Sequence, residues 1–198
     1  LMRFCEKVLD IVTVNLLFVV SCLPIVTIGV AKISLYQTIF EVKRSRRIPV
    51  FKIYIRAFKQ NLKLGFQLGL LELGIFLISV VDLSLFWSQT GVAFQLIKAI
   101  CLGILIFLTL VMLASYPIAA RYALTWKEVL QKGLLLVSFN FVWFFLMLAI
   151  ILLIIMLLYL SGFTLVLGGS AFLLFGFGLL AFCQAGLMEK LFAKYQAD

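Results

Sequence analysis

Two residues of opposite charge sit where charge is costly. Lys32 lies inside an apolar stretch running from Ile11 to Phe40, and Glu72 lies in Leu71-Glu72-Leu73 within the next one. An ionised side chain in the middle of a spanning helix costs about 2.5–3.5 kcal/mol on insertion scales, so each must be paired, neutral or beside a polar cavity. Glu72 is eight residues past Leu64 and Lys32 eleven before Lys43, which places them about 12 and 16 Å from one membrane boundary at the helical rise. These depths predict a Lys32–Glu72 pair that fastens the first stretch to the second, with Gln67 one turn below and Asn15 as further partners. Separate solvation of each residue, or a protonated Glu72, is the alternative. A proton- or ion-coupled path is the functional reading, because intramembrane ionisable residues mark such paths.

Little else in the chain has the parts for a reaction. Histidine is absent, the eight carboxylates fall mostly at the edges of apolar runs, and no serine or cysteine has a visible base partner. Cys5, Cys22, Cys101 and Cys183 are scattered one per segment, with no zinc spacing and no Cys-x-x-Cys. We expect free thiols, no metal, no cofactor and no enzyme activity.

The elements that must position Lys32 and Glu72 follow from composition. Of 198 residues, 65% are apolar and 13% charged, with a mean hydropathy of +1.23, which excludes a water-soluble globular domain. The expected fold class is all-α, a single polytopic membrane bundle over residues 1–198. Apolar runs at about 64–82, 97–118, 134–158 and 164–187 are each long enough to span. The stretch 11–40 is interrupted by Leu23-Pro24 and then Gly29, so the chain is expected to break there into a hairpin or deep re-entrant pair. Val19-Val20-Ser21-Cys22 has a loose lipoprotein-signal form, but Leu23-Pro24-Ile25-Val26 continues apolar, so the segment is expected to be retained.

The net charge of +9 is explained by orientation. With residues 43–63 cytoplasmic, fifteen of the seventeen basic residues fall on that side, from Arg3 and Lys7 through Arg121, Lys127 and Lys132 to Lys190 and Lys194. Only Lys98 lies outside and Lys32 within. Both termini are then cytoplasmic if 11–40 enters and returns. Nucleic-acid binding is not expected, because the one dense basic cluster is set between two apolar segments.

That cluster, Lys43, Arg44, Arg46 and Arg47, precedes Lys52, Arg56, Lys59 and Lys63, which are spaced four, three and four apart along one helical stripe. Phe51, Tyr54, Ile55, Phe58 and Leu62 occupy neighbouring faces. The segment should lie in the inner interface against anionic headgroups, as a topology anchor or as a docking surface for a partner. Thr125-Trp126-Lys127-Glu128 has the form of a helix-starting capping box. Gly65 and Gly69, with Gly176, Gly178, Ala181, Ala185 and Gly186, offer small faces for helix packing within the chain or between copies in a homo-oligomer.

The residues so assembled resemble the YesL family of bacterial integral membrane proteins, a domain of unknown function. The match rests on Asn15-Leu16-Leu17, Leu23-Pro24-Ile25-Val26-Thr27-Ile28-Gly29 and Leu35-Tyr36, then on Phe51, Phe58 and Asn61, and on Tyr116-Pro117 with Ala120-Arg121-Tyr122. It departs from the family pattern at Val30, where proline is common, and at Lys32, where the residue is usually small or uncharged. The resemblance implies a plasma-membrane protein encoded near sugar ABC-type importers, with no catalytic residues to carry over. The expected function is therefore a non-catalytic accessory component linked to carbohydrate uptake. The alternative is a small independent transporter or channel built on the hairpin and Glu72.

Overall fold

A computed structural model describes residues 2–45, 49–89 and 91–195, so Arg46 and Arg47 of the basic cluster lie outside the described residues. Every regular element among the described residues is helical: α1 (Met2–Ser21), α2 (Ile28–Arg44), α3 (Val50–Gln60), α4 (Leu62–Phe86), α5 (Val92–Arg121), α6 (Trp126–Phe139), α7 (Phe141–Leu158), α8 (Gly162–Ala171) and α9 (Phe177–Tyr195). Five described segments are long and apolar enough to cross a membrane: Ile25–Arg44, Leu62–Leu85, Val92–Arg121, Phe141–Leu158 and Gly162–Ala193.

The first apolar stretch breaks where proline requires it. α1 ends at Ser21, Pro24 precedes a single 3₁₀ turn over Ile25–Thr27, and α2 then packs back against α1. Thr27 closes this turn, its Oγ1 donating to the carbonyls of Ser21 at 2.6 Å and Pro24 at 2.8 Å. The last carbonyl of α1, that of Ser21, is thereby satisfied without water, while the Cys22 and Leu23 N–H groups bond the carbonyls of Phe18, Val19 and Val20. Gly29, expected at the break, instead lies within α2 and is buried. Its role is packing: a Cβ on it would stand 2.2 Å from the Gly65 carbonyl oxygen and 2.7 Å from Gly69 Cα. The backbones of α2 and α4 therefore touch, which only glycine permits on both sides.

α2 is the axis of the bundle. It contacts α1, α3, α4, α5 and α9, and it is both the least apolar and the most buried of the five candidate spans. The two properties belong together. A helix wrapped by protein rather than lipid can carry Lys32, Ser34, Gln37 and Thr38, because neighbouring helices and its own carbonyls supply their partners. Ser34 and Thr38 donate back to Val30 and Ser34 carbonyls, and Asn61, at the start of α4, donates to Gln37 Oε1 at 2.8 Å. Asn61 opposite Gln37 and Gly69 opposite Gly29 make α2 and α4 antiparallel.

Two of the expected spans are interrupted. The run 134–158 is divided at Asn140 between α6 and α7, where the Asn140 side chain donates to the Leu136 carbonyl at 3.1 Å. α6 begins at the expected capping box, with Glu128 accepting from the Thr125 backbone N–H at 2.8 Å. It lies along α5 with Gly133 against Ser115. The run 164–187 is one long helix opened by a π-turn at Phe172–Gly176, which separates α8 from α9.

Candidate functional site

Lys32 on α2 and Glu72 on α4 meet. Lys32 Nζ donates to both carboxylate oxygens, at 2.7 and 2.8 Å, with the two side chains 29% and 32% exposed. Pairing explains how two charges persist at this depth, because each offsets the other. α5 adds a third member. Tyr116 donates its hydroxyl to Glu72 Oε2, and its ring lies 4.7 Å from Lys32 Nζ. The ammonium is thus held by a carboxylate and an aromatic face together.

A second polar link lies alongside. Tyr36, one turn past Lys32 on α2, donates to Gln184 Oε1 on α9 at 2.5 Å, and Gln184 Nε2 donates to the Leu113 carbonyl on α5 at 2.7 Å. Tyr36 and Gln184 are buried, so these bonds join three helices where no water competes. In the sequence Tyr36 and Tyr116 stand out only as positions shared with the YesL pattern, and Gln184 does not stand out. A lone polar residue in an apolar span was the available signal for Gln184, but its partners are distant in sequence.

Gln67 and Asn15 are not members of the cluster, contrary to the expectation. Gln67 is exposed on α4. Asn15 is fully buried on α1 and faces the last helix, where Nδ2 donates to the Leu173 carbonyl at 2.6 Å and Oδ1 accepts the Gly178 N–H at 2.7 Å. Leu173 and Gly178 are five residues apart, the pair that a π-turn would bond directly. The Asn15 amide is inserted between them and satisfies both. Gly178 allows this approach, since a Cβ there would stand 2.9 Å from the Ile11 carbonyl oxygen.

The basic residues divide into two groups. Lys43 turns inward, forming an ion pair with Glu189 of α9 at 2.9 Å and lying 5.2 Å from the Phe182 ring, so it is not part of a docking face. Arg44, Lys52, Arg56, Lys59 and Lys63 are exposed. On α3, Val50, Tyr54 and Ala57 are buried against α1 and α2, while Phe51 and Ile55 stay exposed beside the basic stripe. Burial pushes the Tyr54 phenol up from its ordinary value, partly offset by the Ser21 side chain beside it. At the far end of the bundle Lys98 donates to the Trp87 and Gln89 carbonyls, at 3.0 and 2.9 Å, capping the end of α4.

Apolar spanning helices arranged around a polar central helix, with an internal ion pair, define a multi-pass helical membrane protein. Residues 11–83 match the family described as Protein of unknown function, DUF624, which is the YesL-type domain. The matched stretch runs from within α1 through the hairpin and α3 to near the end of α4, and both Lys32 and Glu72 fall inside it. No curated protein and no solved structure matches the chain.

Proposed function

We propose that the chain is a non-catalytic accessory component of the bacterial plasma membrane, with both termini cytoplasmic, that presents α3 to a partner in the same membrane. α3 carries this reading. Its buried face fixes it to the hairpin, and its outer face offers exposed Lys52, Arg56 and Lys59 beside exposed Phe51 and Ile55. Such a surface suits the anionic inner headgroup layer and an acidic, partly apolar partner surface next to it. The YesL resemblance implies the partner class, an ABC-type sugar importer. The absence of any nucleophile–base constellation in the sequence supports a role without catalysis.

The test is recovery of the tagged full chain in mild detergent. Stoichiometric importer permease subunits, lost when Lys52, Arg56 and Lys59 are changed to Glu, would support the reading; their absence from the wild-type preparation would overturn it. Thiol labelling checks orientation, and labelling of Cys5 from outside would sink the hairpin topology. A second reading, an independent transporter using the hairpin and Glu72, is favoured by the cavities that border the ion pair. Solute flux by the purified protein in liposomes would support it.

A further inference from the structure

Two cavities flank the Lys32–Glu72 pair. One, of about 440 Å³, lies against α2, α4 and α5 and is bounded by Ile28, Gly69 and Leu105. The other, of about 420 Å³, lies between α2, α5, α7 and α9 and is walled by Ile151, Ile155, Phe177 and Leu180. Lys32, Glu72, Thr109 and Met112 border both, so the ion pair forms part of the partition between them. Each volume is within the range of pockets that hold small organic molecules.

The second cavity is chemically divided. Its polar groups are gathered on Lys32, Tyr36, Glu72, Tyr116 and Gln184, with the Thr109 hydroxyl bonded to the Leu105 carbonyl of its own helix, and the remaining lining is apolar. A matching ligand has one polar head and an apolar body. Charge selects the head. The ammonium and carboxylate already neutralise each other, so an anionic head must displace Glu72 from Lys32 and a cationic head must displace Lys32 from Glu72. Either exchange breaks charge-assisted bonds that the structure has in place. A neutral hydroxyl breaks none. It can accept the third ammonium proton, which neither Glu72 bond uses, and donate to a remaining carboxylate or phenol lone pair. The partial exposure of both charged side chains leaves them within reach.

We propose that the cavity between α2, α5, α7 and α9 binds a neutral single-chain amphiphile, a long-chain alcohol or monoacylglycerol, with its hydroxyl on the Lys32–Glu72 cluster. This assignment is independent of the docking role of α3.

The experiment uses the full chain in lipid nanodiscs and a photoreactive diazirine analogue of hexadecanol, with labelled residues mapped by mass spectrometry. Labelling is expected on the α7 and α9 residues that wall the cavity. Unlabelled hexadecanol should suppress it, and hexadecanoate should compete less well by about tenfold or more. Ile151→Trp and Leu180→Trp, which fill the cavity from opposite walls, should each cut the labelling about tenfold. Val166→Trp, on an exposed face of α8, should leave it unchanged. Two variants on separate helices keep the test open if one fails to fold. Labelling spread over outward faces without competition, preference for hexadecanoate, or labelling that survives a folded cavity-filling variant would each overturn the proposal.

Discussion

Asn15 on the first helix holds the last helix open at Gly178. Its side-chain amide takes the place of the backbone bond between Leu173 and Gly178, accepting from one and donating to the other. A π-turn that would otherwise leave a carbonyl and an N–H unpaired in an apolar setting is thereby completed from another part of the chain.

Asn15→Leu should therefore cost about 1–3 kcal/mol for each backbone group it leaves unpaired, unless α8 and α9 close into one regular helix. Asn15→Asp keeps the acceptor for Gly178 but sets an unpaired, fully buried carboxylate against the Leu173 carbonyl, so it should cost at least as much as Asn15→Leu. Thermal unfolding in detergent orders the three proteins; a Leu variant as stable as wild type would show that the splint contributes nothing.

The contact of Gly29 with Gly65 and Gly69 leaves no room for a methyl group between α2 and α4. Gly29→Ala and Gly65→Ala should each destabilise the fold by about 1–3 kcal/mol or more, through overpacking that meets backbone rather than a movable side chain. Gly74 has nothing within 4 Å of its Cβ position. Gly74→Ala, on the same helix, should be neutral or stabilising by up to about 1 kcal/mol. Comparison of melting temperatures separates the two outcomes.

Removing one member of the ion pair leaves the other charge uncompensated. Lys32→Met or Glu72→Leu alone should reduce stability and expression, with a cost of about 2.5–3.5 kcal/mol for the stranded charge. Lys32→Met combined with Glu72→Leu should recover much of that loss, because the desolvation cost disappears with the charges. Exchanging the two residues should also restore expression lost in either single mutant. A double neutral variant whose loss equals the sum of the single losses would argue against direct coupling.

The capping box of α6 carries a pH dependence of known sign. Hydrogen bonds from the Thr125 backbone and hydroxyl hold the Glu128 carboxyl below its ordinary value of 4.5. A folded-state value below the unfolded one means that the contribution is fully present above the unfolded value and is lost as pH falls through the folded one. The stability difference between wild type and Glu128→Gln should be constant near neutrality and shrink in acid below 4.5. Unfolding measured across that range checks the direction; a difference that grows in acid contradicts it.

The amino-acid sequence alone determined the membrane class, the helical architecture and the break at Pro24, because each follows from local chemistry: apolar length, backbone donors and proline. It also brought Lys32 and Glu72 to similar depths, since depth along a spanning helix is a count of residues. Which helix faces which is not such a count. That Asn15 reaches Leu173 and Gly178, that Tyr36 meets Gln184, and that Lys43 turns to Glu189 depend on contacts across about 150 residues of chain. The residues that carry the YesL resemblance show the same division. Asn15, Thr27, Gly29, Tyr36, Asn61 and Tyr116 were visible as a pattern, but their partners were not. Tertiary packing decided those partners, because in an apolar solvent each polar side chain must find its bond in whichever helix the bundle places beside it.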